Sequence, residues 1–440
     1  MTELWPTSFS TDGIPPSLDR MHWHTATAAP VSRDRPIAVI GAGPVGMTAA
    51  AALAAADLPV VLVELTPSPR PDWRASTFHA ATLELLETIG ITGQMHAEGL
   101  VVPTYQFRDR RDGLVAEFDF GLLADETRFP YRLQLNQQHL VRMLADRLAG
   151  DDRVRMRFGT RLTGLEIEPD GVRLAVDGPD GADEIRAAYA IGADGPRSTV
   201  RSALGVAFDG FTYPERFAIT STPVDLQELV PDLGHVNYVA DPEEWLFILR
   251  TPESWRVVWP VPASYSADEA SDPERLQHRL QGVAPYEPGY PVIDHQVYGV
   301  HQRVASAFRV GPVLLAGDAA HINSPIGGVG LNSGIHDAMD AVRRLARIAA
   351  GDGVDVEAEL SEYDRIRRTV AVEYVQADTQ RNTDRLRETD DAVRRRNQEE
   401  MRAIATDPER ARVYIRRVSL LESVRRFGIG TPPIEREEAR

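Results

Sequence analysis

Residues 36–65, PIAVIGAGPVGMTAAAALAAADLPVVLVEL, carry the clearest pattern in the chain: an apolar run, a glycine-rich break, an alanine-rich stretch and a second apolar run ending at Glu64. That order predicts a strand, a tight turn, a helix and a parallel strand, a βαβ unit in about thirty residues. ATLELLETIG (81–90) reads as a short amphipathic helix closed by Gly90, and NQQHLVRMLADRLAG (136–150) as a helix with Leu140, Met143, Leu144 and Leu148 on one face. Residues 101–133 and 154–195 alternate like strands, with turns at RDRRDG and at Asp-Gly pairs, and the second stretch ends in an apolar run before Asp194-Gly195. HVNYVADPEEWLFILRTPESWRVVWPVP (235–262) alternates aromatic and β-branched residues between proline-bearing turns, which suggests an antiparallel sheet over about 210–300. VLLAGDAAHINSPIGGVGLNSG (313–334) is a strand, a carboxylate, a loop of small residues and a helix start, with the helix running to about 350. Beyond 355 the chain is highly charged and helical, whereas 1–35 is aperiodic and reads as an arm.

Composition removes whole classes of chemistry. The formal charge of −17 argues against nucleic acid and against a polybasic membrane surface. No stretch approaches the roughly 18–20 apolar residues that span a bilayer, and the start lacks a secretory pattern, so a cytoplasmic location is expected. Cysteine is absent, which excludes disulfides, thiolate metal sites and cysteinyl cofactor links. Lysine is absent too: all 48 basic residues are arginine, so no Schiff base or Walker A loop can form. His321 lacks ligand-spaced partners other than Asp318, so no metal site is expected.

Gly41-x-Gly43-x-x-Gly46 lies where a dinucleotide fingerprint needs it, between strand and helix. The first glycine makes the turn, the second lets a pyrophosphate approach the backbone, and the third lets helix and strand touch. Glu64, 23 residues after Gly41, ends the second strand where a carboxylate can accept from ribose hydroxyls. A carboxylate at Asp318, read as buried at its strand end, needs partners that sugar hydroxyls can supply. Gly327, Gly328 and Gly330 leave bare backbone amides at a helix start, suited to a negatively charged edge.

Together the fingerprint, WRASTFHAATLELL (73–86), IGADGPRSTVR (191–201) and LLAGDAAHINSPIGGVGLNSGIHDA (314–338) resemble, in the same order, the single-component FAD-dependent aromatic hydroxylases of the para-hydroxybenzoate hydroxylase-like type. The resemblance covers about residues 36–350. It implies an α/β fold: a three-layer Rossmann-like FAD domain from 36–105, 134–210 and 300–350, an inserted antiparallel substrate domain from 106–133 and 211–299, and a helical region over 351–440. It implies non-covalent FAD, with Gly41, Gly43, Pro44, Val45 and Gly46 at the pyrophosphate and Glu64 and Leu65 at the adenosine ribose. Arg74 and Ala75 would stand near the pyrophosphate and the flavin, and Gln137 would contact FAD, with Asn136 and Gln138 as neighbouring competitors. Asp194 is expected at FAD or NAD(P)H, or else as the stabiliser of a tight turn with Arg197 or Arg201. Gly317 and Asp318 would meet sugar hydroxyls, and Gly328, Gly330, Leu331 and Asn332 the flavin edge.

The implied reaction uses NADH or NADPH and O2, passes through a flavin C4a-hydroperoxide and hydroxylates a phenolic or hydroxylated heteroaromatic small molecule. His79 and Tyr238 are candidates to help ionise the phenol, and Pro325 for a carbonyl beside substrate. Tyr238, Phe247, Trp255 and Trp259 are candidates for the substrate wall, each against the alternative of core packing. A monomer or homodimer without stable membrane association is expected. A reductase, dehydrogenase or epoxidase for a non-aromatic substrate, or a non-catalytic FAD-binding protein, remains open at this level. A flavin-dependent halogenase is disfavoured, because its lysine is missing and WRVVWPVP (255–262) has the wrong tryptophan spacing.

Overall fold

The structure, a computed structural model, describes residues 30–71, 73, 75–351 and 353–429. Most of the expected arm, residues 1–29, lies outside these. The first layer is a six-stranded sheet in the order Arg309–Val310, Val313–Leu315, Tyr189–Gly192, Ile37–Ile40, Val60–Val63, Val154–Arg157. Its pairs are parallel except the edge pair Arg309–Val310 with Val313–Leu315. Every residue of the strands Ile37–Ile40, Val60–Val63 and Tyr189–Gly192 is buried. That burial explains why these segments read as unbroken apolar runs rather than alternation.

Helix Pro44–Ala55 packs between helices Gly330–Ala350 and Gln137–Leu148. Its alanines are almost all buried, and their small side chains let the neighbouring helices approach. Both helices and the short Ala80–Glu87 helix fall where periodicity placed them, within a residue or two.

The second sheet has eight strands, in the order His321–Ile322, Asp294–Ala305, Phe208–Thr222, Trp255–Val261, Leu246–Arg250, Val236–Ala240, Thr104–Asp109, Gly113–Asp119. It is antiparallel apart from the parallel pair Val236–Ala240 with Thr104–Asp109. Both faces of its middle strands are covered. Tyr238, Phe247, Leu249 and Val258 join the main core, whereas Val239, Leu246, Ile248, Trp255, Val257 and Trp259 join a second core with Leu276 and Leu280.

Beyond residue 355 the chain is helical, as its charge pattern suggested. Aspartates start the helices: Asp355, Asp390 and Asp407 accept from backbone N–H groups of Val356–Val370, Asp391–Ala405 and Pro408–Val418. The first of these continues through a π-helical stretch, Ala371–Gln376, into Ala377–Leu386. Among the described residues no helix is long and apolar enough to cross a membrane.

Candidate active site

Three loops meet at the carboxyl ends of the parallel strands. Gly41 has φ +104°, and a Cβ there would collide with the Ala193 carbonyl of the neighbouring strand end. A Cβ on Gly46 would collide with the Gly41 carbonyl. Gly43, by contrast, would meet nothing within 4 Å. It is the N-cap of helix Pro44–Ala55, with no capping side chain and no acid in the first turn. The open position thus faces uncompensated N–H groups and the positive end of the helix dipole, which suits a pyrophosphate. The third loop closes in from Gly317, where a Cβ would press on Val45 at 2.9 Å. These residues fit a dinucleotide.

The acids differ in their roles. Glu64 is half-buried and ties the first loop: one oxygen accepts from Ala42 N at 2.7 Å, the other from Thr66 N at 2.9 Å and Thr66 Oγ1 at 2.7 Å. It stands at the strand end beside the fingerprint, with remaining lone pairs for a ribose. Leu65, at 47% exposure, follows it on the surface. Asp194 caps helix Thr199–Ala203, accepting from Ser198 Oγ, Thr199 N at 2.7 Å and Val200 N at 3.1 Å. Its carboxylate holds the turn. Arg201 does not bond it; the guanidinium donates to the carbonyls of Ala319 and Pro196 and lies 3.8 Å from the Phe208 ring centroid.

Asp318 departs from expectation, because its side chain is exposed rather than buried. It sits in the short 3₁₀ turn Gly317–Ala319, between two buried residues. The buried carboxylate behind this loop is Asp337, which the sequence reading missed. It accepts from Gly317 N at 2.9 Å, His321 Nε2 at 2.8 Å and Arg367 Nε at 2.6 Å, and all three side chains are inaccessible to solvent. His321 is therefore a support for the loop. Among the described residues, no cluster of three His, Asp or Glu could hold a metal ion.

Asn332 fixes the glycine loop. Its amide donates to the carbonyls of Thr77 at 2.8 Å and Gly328 at 2.6 Å, and its Oδ1 accepts from His79 N at 2.9 Å. Its side chain is thus spent inside the protein, and only backbone N–H groups of Gly330, Leu331 and Asn332, at the start of the helix, remain for a ligand. His79 is likewise fully buried: Nε2 donates to Gly327 O at 3.1 Å. Burial first, then the Arg132 charge, lowers its pKa well below the usual imidazole value. It is a neutral lock on the loop and does not line the cavity, contrary to its expected role at the phenol. Gln137 opens its helix with its backbone N–H on Ala75 O at 2.9 Å, and no side-chain partner is found for it among the described residues. Asn136 is occupied by Glu253 and Arg256. Arg74 lies outside the described residues.

A cleft opens against this loop. Gly327 and Val329 form one end; Tyr105, Phe107, Arg132 and Tyr238 rise from the eight-stranded sheet and the strand beside it. The remaining wall comes from the C-terminal helices, including Asp378, Asn382, Met401 and Tyr414. Tyr238 stacks on Phe247 at 4.7 Å and meets Tyr105 edge-on at 5.7 Å.

A profile described as "FAD binding domain" matches residues 34–378. The para-nitrophenol 4-monooxygenase of Pseudomonas sp. (strain WBC-3) is 32% identical over 375 residues, which is 84% of this chain and 92% of that one. The chain belongs to the FAD-dependent aromatic hydroxylases. The 6-hydroxy-3-succinoylpyridine 3-monooxygenase HspB of Pseudomonas putida is 29% identical, over 77% of this chain and 86% of that one. The crystal structure of p-nitrophenol 4-monooxygenase PnpA from Pseudomonas putida DLL-E4 superposes with a TM-score of 0.82 at 30% identity, covering 87% of this chain and 96% of that one.

In this hydroxylase the four expected wall residues divide. Tyr238 lines the cleft and Phe247 backs it. Trp255 and Trp259 point to the opposite face of the sheet, because strand residues alternate and both share parity with Val257 in the second core. There Trp255 Nε1 donates to Asp225 at 3.1 Å and Arg279 covers Trp259. They are packing residues and do not reach the cleft. Pro325 is absent from the lining too; its carbonyl accepts from Gly328 N at 3.1 Å and closes the loop's own turn. Arg132 and the C-terminal wall were not anticipated. A single arginine in YRLQLNQQ carries no signal of what it faces.

Proposed function

We propose that this hydroxylase inserts one atom of O2 into a phenolic or hydroxylated heteroaromatic ring, drawing electrons from NADH or NADPH. The observation that carries this reading is the cleft. Aromatic side chains and the Arg132 guanidinium border a space that ends on the glycine loop, at the same helix start proposed to meet the flavin. Gly41, Gly43, Pro44, Val45 and Gly46 would hold the FAD pyrophosphate, Glu64 the ribose, and Asp318 and Gln137 the ribityl side. When bound, FAD supplies the redox chemistry that activates O2. The protein's share is placement and exclusion of water. Backbone N–H groups of Gly330, Leu331 and Asn332 would stabilise negative charge on the isoalloxazine edge. Tyr105 and Tyr238 would border the ring, and burial pushes the Tyr105 hydroxyl well above its usual pKa, so it stays protonated.

The relatives named above act on nitrophenol and on a hydroxypyridine, which supports an electron-rich hydroxylated ring here. The test is a panel of hydroxylated aromatics scored by stimulated NAD(P)H oxidation, with product mass. A gain of one oxygen is expected. Oxidation that no aromatic stimulates, or a purified protein that takes up no flavin, would overturn the reading.

A further inference from the structure

Arg132 is inaccessible to solvent and sits in the cleft wall, yet no carboxylate pairs with it among the described residues. The other cationic groups of the lining have acids: Arg417 bonds Asp378 at 3.0 Å and Arg385 approaches Glu400 at 3.4 Å. Arg132 instead lies among π faces, 4.4 Å from the Tyr105 centroid, 5.2 Å from Phe120 and 5.9 Å from Tyr238. One N–H reaches Tyr238 Oη at 3.3 Å, and Nε has no acceptor at all. A buried cation with an unsatisfied donor is costly, and cation–π contact offsets only part of that cost. Such a group persists where a ligand supplies the missing anion.

We propose that Arg132 receives the oxyanion of the substrate, so that the ring binds as its phenolate. This rests on the proposed function and adds to it the residue that seats the substrate oxygen. On binding, the phenol O–H bond breaks, the proton leaves to solvent, and the oxygen keeps the electron pair and accepts N–H from the guanidinium. A phenolate is the better nucleophile toward an electrophilic oxygen, so the binding step would also prepare the ring for the reaction.

The charged and titratable groups around the cleft do not duplicate this role. From the sheet side they are Tyr105, kept protonated by burial, and Tyr238, whose hydroxyl already accepts from Arg132. Behind the loop stands His79, held neutral. From the C-terminal helices come Asp378, Arg385, Tyr414 and Arg417. Burial pushes the Asp378 carboxyl up, against the pull of Arg417 and Arg381. Arg385 and Arg417 are matched by Glu400 and Asp378, which leaves the Arg132 end as the seat for an anion.

The experiment titrates flavinated protein, without reductant, with 4-nitrophenol and with its methyl ether 4-nitroanisole, below the pKa of the free phenol. Calorimetry in buffers of different protonation enthalpy counts released protons, and the difference spectrum reports nitrophenolate. Wild type is expected to release a proton for each ring bound. Arg132→Met should bind 4-nitrophenol roughly ten- to a hundredfold more weakly, without proton release, while its affinity for 4-nitroanisole changes little. Arg132→Lys should retain proton release at reduced affinity, and with wild type it decides the matter if the methionine variant does not fold. Binding in the protonated form, unaltered proton release in Arg132→Met, or no binding of 4-nitrophenol to wild type would each overturn the proposal. An oxygenated product from the panel, with any of these results, removes Arg132 from the phenolate and leaves the hydroxylase reading intact.

Discussion

At the scale of single residues, Asp337 governs the loop that carries Gly317 and Asp318. It is wholly buried and accepts at once from the Arg367 guanidinium, the His321 imidazole and one backbone N–H. Burial pushes its carboxyl up, but Arg367 and His321 outweigh that and hold it below the usual carboxylate range. Its contribution to stability is therefore present above the unfolded carboxylate pKa and lost as pH falls through the lower folded value. Asp337→Ala leaves Arg367 uncompensated and should cost about 3–5 kcal/mol in urea unfolding, with FAD retention falling in parallel. A variant as stable as wild type would show that Arg367 finds another partner.

Two buried imidazoles act in the same direction, at higher pH. Burial and then Arg367 lower His336 from 6.5 to about 3, and His79 is also held well below its usual value. The unfolded chain takes up protons below 6.5 that the folded chain refuses, so stability falls on the acid side of neutrality, by roughly 1.4 kcal/mol per pH unit for each imidazole. His336→Gln, which can keep a bond to Thr82, should show a shallower loss of urea midpoint between about pH 7 and about pH 5. An identical slope would assign the effect elsewhere. Residue roles of this kind were only half legible in the sequence. The glycines announced themselves by their spacing, and at Gly41 and Gly46 a Cβ would collide with backbone. Which aspartate is buried did not, because Asp318 sits between two buried residues and is itself exposed.

At the scale of elements, periodicity gave the parallel core because strands buried on both faces must be apolar throughout. It could not say which side of the eight-stranded sheet faces the ligand. Trp255 and Trp259 looked like a substrate wall because alternation predicts two faces and names neither; here the far face is covered by helix Pro273–Gln281 and its neighbours. Trp259→Phe should therefore lower the unfolding midpoint while leaving KM for the ring unchanged, and a changed KM would place that side chain at the cleft.

The π-helical stretch Ala371–Gln376 was equally hidden, since one extra residue in a turn leaves amphipathicity nearly intact. It matters because Asp378, Thr379 and Asn382 follow it and line the cleft. Deleting Val372, a 40% exposed residue of that stretch, should restore α-helical winding and rotate everything beyond it by about 100°. The expected result is FAD bound as in wild type with loss of aromatic-stimulated NAD(P)H oxidation. Retained stimulation would mean that these side chains do not shape the site.

At the scale of the whole molecule, the C-terminal helices complete the site that the flavin-side loops begin. Their sequence reads as charged and helical, and nothing in its spacing names a docking address. In the folded chain the charges pair across the molecule. Arg394 meets Asp109, Arg412 meets Asp125 and Glu126, Arg416 meets Glu126, and Arg425 meets Glu84. Glu126 is the shared acceptor for two of these arginines, at 2.7 and 2.6 Å, and burial raises its pKa less than Arg416 and Arg412 lower it. Tyr414 lies on the same helix, packs on Phe118 and lines the cleft, so the ion pairs and the substrate wall move together. Glu126→Gln should loosen helix Pro408–Val418 by about 1 kcal/mol, because these pairs are partly exposed. KM for the aromatic ring should then rise a few-fold with FAD affinity unchanged, and added salt should raise KM in wild type but little in the variant. Hydrogen exchange over 408–418 measures the loosening directly. If exchange quickens there while KM stays put, the helix is a brace for the fold and the ring is held from the sheet side alone.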